Sequence, residues 1–320
     1  MQGNTVIDLL NSSKKPLFTF ELLPPLKGHS IDRIYHTIEN LLEYAPAYIN
    51  FTSHRNEMVL VERPDGLLEK RVTRKRPGTI ALAAAVKYKY NVNVVPHLLC
   101  GGFTKEETEN VLIEMNFLGI NDVLALRGDP PKGSRVFIPE PDGHRNTSEL
   151  VQQIADMNKG HYIDPELKNM NATSFCIGVA AYPEKHFEAP NMKYDLVNLK
   201  RKVDAGASYV VTQMFFDNEK FYTFREAIRA MGIDVPLIPG IKPVSAMTDV
   251  NLLPQTFHID MPEELVHELS KCHTDEEARE VGIEWATVQS RDLLKNEVPG
   301  IHYYTLGRSD NIARIVKASY

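Results

Sequence analysis

Val123-Leu124-Ala125-Leu126-Arg127-Gly128-Asp129-Pro130-Pro131 is an apolar run closed by a glycine, a carboxylate and two prolines. An apolar run of this kind reads as a buried strand, and the glycine and prolines oblige the chain to turn where it ends. Arg127 and Asp129 are therefore presented at a strand's C-terminal end. In parallel sheets wrapped by helices, that is the end at which ligands bind. Taken alone, the stretch reads equally well as an ordinary turn, with Asp129 as a cap and Arg127 paired with a surface acid.

The same pattern recurs on both sides. Strands are expected at 17–23, 48–52, 93–99 and 122–127, and again at 175–182, 209–216, 236–241 and 301–306. Helices are expected at 31–44, 79–90, 104–118, 147–157, 192–205, 219–231, 262–272, 275–294 and 309–318. In the first of these, Ile34, Ile38, Leu41 and Leu42 recur at helical spacing. Thr104 with Glu107 forms a capping box. Strands with continuously apolar cores, nearly all separated by helices, demand a parallel sheet. Eight such units in 320 residues match a (β/α)8 TIM barrel better than an open doubly wound sheet. No GxGxxG follows the first strand, so a Rossmann-type half is not indicated. No internal linker is found, and one barrel domain over residues 1–320 is expected. Residues 55–77 are polar, contain Pro64 and Pro77, and read as a long loop with a short helix; loops of that length are more often functional than decorative. Within them Lys70, Arg71, Arg74, Lys75 and Arg76 read as a solvated segment, with a grip on a phosphate-bearing ligand as the alternative.

Hydrophobic residues at 43% and charged residues at 24% are ordinary globular values. A net charge of -6 and the absence of a long basic run give no reason to expect a nucleic-acid partner. Cys100, Cys176 and Cys272 form neither a disulfide framework nor a metal pattern, which fits a reducing cytoplasm. Cys100 and Cys176 read as small core residues. The N-terminus lacks the basic start and apolar core of a signal peptide. No apolar stretch approaches the roughly 20 residues that span a bilayer. A cytoplasmic protein with no membrane partner is expected.

A barrel brings polar residues at strand C-termini to one mouth. Glu21, Thr52, His97, Arg127 with Asp129, Tyr182, Gln213 and Arg308 form that set. In 17–23, alternation places Phe18, Phe20 and Leu22 on one face and Leu17, Thr19, Glu21 and Leu23 on the other. Glu21 is thus a carboxyl group inside an apolar strand, where burial disfavours the charged form unless it is paired. Each residue has a purely structural alternative: Glu21 as half of a buried ion pair, His97 as a core histidine, Gln213 as an interior amide. Asp195, Asn198, Arg201 and Lys202 fall within roughly 120° of a helical wheel. That spacing describes either a solvated face with ion pairs or a charged face able to grip a phosphate or ribityl group.

The chain resembles the methylenetetrahydrofolate reductases over nearly its whole length. The resemblance is carried by Phe18-Thr19-Phe20-Glu21-Leu22-Leu23-Pro24-Pro25, Pro96-His97-Leu98, Ala125-Leu126-Arg127-Gly128-Asp129 and Ala180-Ala181-Tyr182-Pro183-Glu184. The longest match is Asp195-Leu196-Val197-Asn198-Leu199-Lys200-Arg201-Lys202-Val203-Asp204-Ala205-Gly206-Ala207. Thr212-Gln213, Phe215-Phe216-Asp217, Ile238-Pro239-Gly240-Ile241 and Tyr304-Thr305-Leu306 continue it. The resemblance implies an FAD site made by Thr52, His97, Arg127, Gly128, Asp129, Thr147, Tyr182, His186, Ala189, Asp195, Asn198, Arg201 and Lys202, with mainly backbone contact at Thr147. It implies Glu21 as the proton donor, Asp129 near the flavin ring and the folate, Gln213 against folate and nicotinamide, and Arg308 on the folate's glutamate tail.

The implied reaction reduces 5,10-methylenetetrahydrofolate to 5-methyltetrahydrofolate with NADH or NADPH as co-substrate, ping-pong through FAD, and supplies methyl groups for methionine synthesis. Asp129, a negative group beside a cation-forming substrate, acts as an electrostatic stabiliser in this reading. A homo-oligomer is expected. Two departures bear on folate and nicotinamide stacking: Asp249 and Leu253 stand where some bacterial members carry glutamine and phenylalanine. Ser53-His54-Arg55-Asn56 and the basic segment behind it also differ from the family forms. A C-terminal regulatory domain and adenosylmethionine inhibition are not expected. Two rival readings remain at this stage: another flavin barrel, of the proline dehydrogenase type, and a cofactor-free barrel serving as a partner subunit.

Overall fold

The computed structural model describes residues 4–130, 134, 136–305 and 308–320. A short helix, α1 (Val6–Ser12), opens with a capping box between Thr5 and Asp8 and leads into β1 (Leu17–Leu22). Every residue of β1 is buried, as a strand covered by a barrel interior on one face and helices on the other must be. α2 (Asp32–Leu42) and β2 (Tyr48–Phe51) follow.

Here the reading of 55–77 as a loop with a short helix does not hold. The segment folds as an antiparallel hairpin outside the barrel, β3 (Glu57–Glu62) with β4 (Leu68–Thr73). Its turn is built on Pro64-Asp65-Gly66: Gly66 takes a left-handed φ of 79°, and Asp65 Oδ1 accepts from Leu67 N at 3.2 Å. Proline, aspartate and glycine in that order are turn chemistry. The hairpin's base is pinned to the barrel rim, where Arg74 Nε donates to Asn56 Oδ1 at 2.9 Å and Arg76 Nη1 to the Pro24 carbonyl at 2.6 Å.

The chain then alternates: α3 (Thr79–Tyr90), β5 (Asn93–Leu99), α4 (Lys105–Phe117), β6 (Asp122–Leu126), α5 (Thr147–Met157), β7 (Cys176–Ala181), α6 (Met192–Asp204), β8 (Tyr209–Met214), α7 (Asn218–Ala230) and β9 (Leu237–Ile241). Three helices, α8 (Asp249–Phe257), α9 (Glu263–Ser270) and α10 (Asp275–Lys295), precede β10 (Gly300–Tyr304) and the last helix, α11 (Ser309–Ser319). The capping box at Thr104 and Glu107 is present. α1 and α8 are the helices that sequence patterning misses; α8 carries Pro254 inside it, a residue that ordinarily reads as a breaker. Pro131 and Leu306, which belong to the stretches quoted above, lie outside the described residues.

The sheet closes in the order β1-β10-β9-β8-β7-β6-β5-β2, with neighbouring strands parallel. This is the (β/α)8 barrel. Alternation along β1 divides its residues as expected: Phe18, Phe20 and Leu22 join the core between sheet and helices. Leu17 joins Tyr48, Val95, Leu124, Cys176, Tyr209, Val211 and Ile238 inside the barrel, where Val6 of α1 closes the lower end. Val6 N donates to Asp122 Oδ1 at 2.8 Å, so a buried carboxyl group anchors that plug. Interior volume is balanced by glycine. A Cβ at Gly178 would meet the Tyr209 ring at 2.4 Å, and one at Gly240 would lie 2.3 Å from the Thr212 carbonyl and 2.6 Å from the Tyr304 ring. Large aromatics therefore fill the space that the neighbouring strand leaves free. Among the described residues no helix is long and apolar enough to cross a membrane.

Candidate active site

The barrel's upper end opens into a cavity of about 790 Å³. Every residue singled out from the sequence as a site residue, except Arg308, lines it. The strand register explains the floor. Thr19 stands beside His302 and Glu21 beside Tyr304 on β1 and β10, while Glu21 stands beside Asn50 on β2. All five side chains point inward by the two-residue period. Glu21 is 7% exposed and sits between two imidazoles, with its Oε2 3.8 Å from His97 Nε2 and 3.7 Å from His302 Nε2. The Asn50 amide nitrogen faces His97 Nε2 at 3.3 Å. Burial lowers His97 to a pKa of about 4, with Glu21 opposing the shift and His302 and His54 adding to it, so this ring is neutral at physiological pH. Thr19 Oγ1 lies 2.8 Å from His302 Nδ1.

The other wall is cationic. β7 is four strands from β1 around the closed order, hence across the barrel, and its Ala180 carbonyl accepts from Lys202 Nζ of α6 at 2.9 Å. Burial pulls Lys202 down to about 8, with Asp195 opposing. Asp195 Oδ2 accepts from His186 N at 2.8 Å and so shapes the loop after β7. That loop is also cinched by Lys185, which takes a left-handed φ of 80° and donates to the His186 and Ala189 carbonyls at 3.0 and 2.8 Å. Arg201 donates to Asn198 Oδ1 at 3.3 Å. The Tyr182 and His186 rings meet edge-on at 4.6 Å. Burial raises the Tyr182 phenol and lowers the His186 imidazole, so both are neutral groups. α5 points its N-terminus at the same cavity through Asn146, Thr147 and Ser148. First-turn amides have no intrahelical partner, and Asn146 makes no side-chain cap bond to cover them.

Arg127 does pair with an acid, but inside the cavity: Nη1 is 2.6 Å from Glu188 Oε2, and the guanidinium lies over the Phe137 ring at 4.9 Å. Gly128 turns the chain with a φ of 83°. Asp129 is exposed at the cavity mouth, and its carbonyl accepts from Arg55 Nη1 at 3.2 Å. Thr52 Oγ1 is buried with no hydrogen-bond partner among the described residues. Gln213 turns its Oε1 back onto Met214 N at 2.9 Å.

Arg308 stands apart, donating to the Ser245 carbonyl at 3.3 Å at the start of α11. Asp249 and Leu253 are not cavity residues either. Asp249 is a buried partner of Lys242 at 3.5 Å and accepts from Ser245 N at 2.8 Å, while Leu253 packs into the core beneath α8. The α8 residue that lines the cavity is Phe257. Sequence reasoning also missed Glu188, Arg55, His302 and Tyr304. The last two lie two residues apart in a strand that the sequence does show, and the alternation used for Glu21 would have found them.

The sequence profile described as methylenetetrahydrofolate reductase matches residues 6–320. The chain belongs to this family. A Caenorhabditis elegans protein named probable methylenetetrahydrofolate reductase (NADPH) is 29% identical over 314 residues, which are 98% of this chain and 43% of that protein. The chain thus spans less than half of that relative. The Escherichia coli K12 5,10-methylenetetrahydrofolate reductase is 30% identical over 294 residues, covering 91% of this chain and 86% of that one. Among solved structures, a Clostridium thermocellum protein described as binding two copies of 5-methyl-5,6,7,8-tetrahydrofolic acid matches with a TM-score of 0.60 and 13% identity over 98% of both chains. That likeness concerns the fold.

Proposed function

We propose that this barrel is a catalytic domain that reduces 5,10-methylenetetrahydrofolate to 5-methyltetrahydrofolate, using NADH or NADPH and a bound FAD. The observation that carries the reading is the division of one cavity into a buried carboxyl floor and a cationic wall across from it. The residues fit the dinucleotide. Arg127, Arg201, Lys202 and the α5 N-terminus supply positive potential for a diphosphate, and Lys202 ends on a carbonyl rather than a carboxylate. Thr52 Oγ1 offers an unused hydrogen bond, and Tyr182, His186 and Ala189 supply an apolar rim. FAD bound there supplies hydride acceptance and donation, chemistry that belongs to the cofactor.

The chain's own part is proton delivery, orientation and exclusion of water. Glu21 holds a proton at its carboxyl and gives it to N10 of the folate. The bond from N10 to the bridging carbon breaks, leaving an N5 iminium, and hydride addition then makes the methyl group. A placed general acid contributes ~10²–10⁴-fold. Asp129, at the mouth, stabilises the iminium charge. Gln213 orients the pterin and the nicotinamide. Arg308, outside the cavity lining, reaches only the substrate's distal glutamate tail. A cytoplasmic homo-oligomer serving methionine synthesis completes the proposal.

The test is an anaerobic visible spectrum of the purified protein through two additions, the nicotinamide first and methylenetetrahydrofolate second. Flavin bands that bleach and then return support the proposal. Bands that bleach and stay bleached remove the folate, and a protein that takes up no FAD removes the whole reading.

A further inference from the structure

Glu21 must regain a proton after each turnover, and its surroundings are asymmetric in a way that names the supplier. We propose that His302, held by Thr19, is the positioning residue that returns the proton to Glu21. This rests on the folate reading above.

Both imidazoles approach the same carboxyl oxygen, Oε2, at 3.8 Å for His97 and 3.7 Å for His302. Catalytic contacts are often this long before substrate binds. The two rings differ in what holds their other atoms. His97 Nε2, the nitrogen nearest Glu21, also faces the Asn50 amide nitrogen at 3.3 Å. His97 Nε2 is thus shared between Glu21 and the Asn50 amide, and burial holds this ring neutral, its pKa lowered to about 4, so it carries no second proton to give. His302 meets Thr19 through Nδ1 at 2.8 Å, which leaves Nε2 for Glu21. A hydroxyl both donates and accepts. Thr19 therefore donates to the neutral His302 ring and accepts from the protonated one, and the ring keeps its place in both states. His302 is 1% exposed and still borders the cavity, which gives it access to solvent protons between turnovers. Its edge-on contact with Tyr304 at 5.2 Å fixes the ring plane.

The step balances simply. The Nε2–H bond of protonated His302 breaks as the Oε2–H bond of Glu21 forms; the neutral ring takes its next proton from water. The titratable groups facing this pair are His97 from β5, His54 after β2, Tyr304 on β10 and, beyond Tyr304, Tyr182 after β7.

Two measurements test the assignment. In the FAD-loaded protein, His302→Gln lowers the steady-state rate of methylenetetrahydrofolate reduction about 10-fold or more. Flavin reduction by the nicotinamide stays within about twofold. Thr19→Val shows the same steady-state defect and Thr19→Ser restores the rate. Independently of turnover, nitrogen-15 spectra of histidine-labelled protein place the neutral ring's proton on Nε2 in His302. A His302→Gln enzyme that matches the wild-type steady-state rate overturns the proposal, as does a neutral His302 protonated on Nδ1. Failure of the folate reading is separate, because there the wild-type flavin is not reoxidised by the folate at all.

Discussion

Replacing Lys202 with methionine separates what the cationic wall does for the fold from what it does for the ligand. Burial lowers this lysine from 10.5 to about 8, and at about 1.4 kcal/mol per pH unit the charged form in the folded chain costs about 3 kcal/mol. Methionine keeps the length of the side chain and removes that cost. It also removes the bond to the Ala180 carbonyl, and a hydrogen bond to a charged group contributes about 1.5–3 kcal/mol. At neutral pH the variant without cofactor is therefore more stable by about 1 kcal/mol, a rise of a few degrees in Tm. The pH dependence is sharper. Between about 8 and 10.5 the unfolded lysine holds a proton that the folded one has lost, so wild-type stability rises with pH there. By pH 10 the wild type has recovered about 2.5 kcal/mol, and the order of the two proteins is reversed. FAD affinity of the variant falls by tenfold or more at neutral pH. Urea unfolding of both apoproteins at pH 7 and pH 10, with FAD titrations at pH 7, reads all three numbers. Stability differences that stay constant across that pH range would refute the claim that Lys202 carries a buried charge.

Glu21→Gln keeps flavin binding and reduction by the nicotinamide and loses folate turnover by ~10²–10⁴-fold, read by the two half-reactions separately; normal folate turnover ends the acid assignment. Asp122→Asn acts at the other end of the barrel. Burial raises Asp122 from 3.8 to about 7, so the folded chain binds an extra proton in that interval and wild-type stability falls as pH rises from about 4 to 7. The asparagine variant lacks this slope, which amounts to roughly 4 kcal/mol at most, and unfolding curves at pH 5 and pH 8 would expose parallel behaviour if the assignment is wrong. Gly240→Ala drives a methyl group to 2.3 Å from the Thr212 carbonyl and destabilises the protein by about 3 kcal/mol, with the Tyr304 side of the cavity lost first; an unchanged Tm would show that the strands yield more easily than the packing suggests.

The fold was legible because alternation and burial act on every residue of a barrel strand. Phe18, Phe20 and Leu22 lie on the face that packs between sheet and helices, and Leu17, Thr19 and Glu21 on the face that lines the interior. The hairpin was misread for the opposite reason. Leu60, Leu68 and Val72 are more than half exposed, so no core imposes a clean two-residue pattern on β3 and β4. What marked the structure was local, the turn at Pro64-Asp65-Gly66, and that signal is read from turn chemistry rather than from hydrophobicity. α8 failed similarly, since a proline outweighs a short apolar stripe when helices are sought by pattern alone.

The site divides along the same line. Residues at strand ends were found because the end of a strand is visible in sequence; Glu188 was not, because its place beside Arg127 depends on how the loop after β7 is folded by Lys185 and Asp195. Asp249 shows the converse error. It differs in type from the residue expected at a ligand-contacting position, but the fold turns it toward Lys242 and the Ser245 amide. A buried carboxyl group that already has a cation and an N–H as partners has little left to offer a ligand. The substrate-facing surface of this region falls instead to Phe257, at the end of α8. Substitution at Asp249 therefore perturbs the buried pair and the start of α8, and reaches the cavity only through the placement of Phe257.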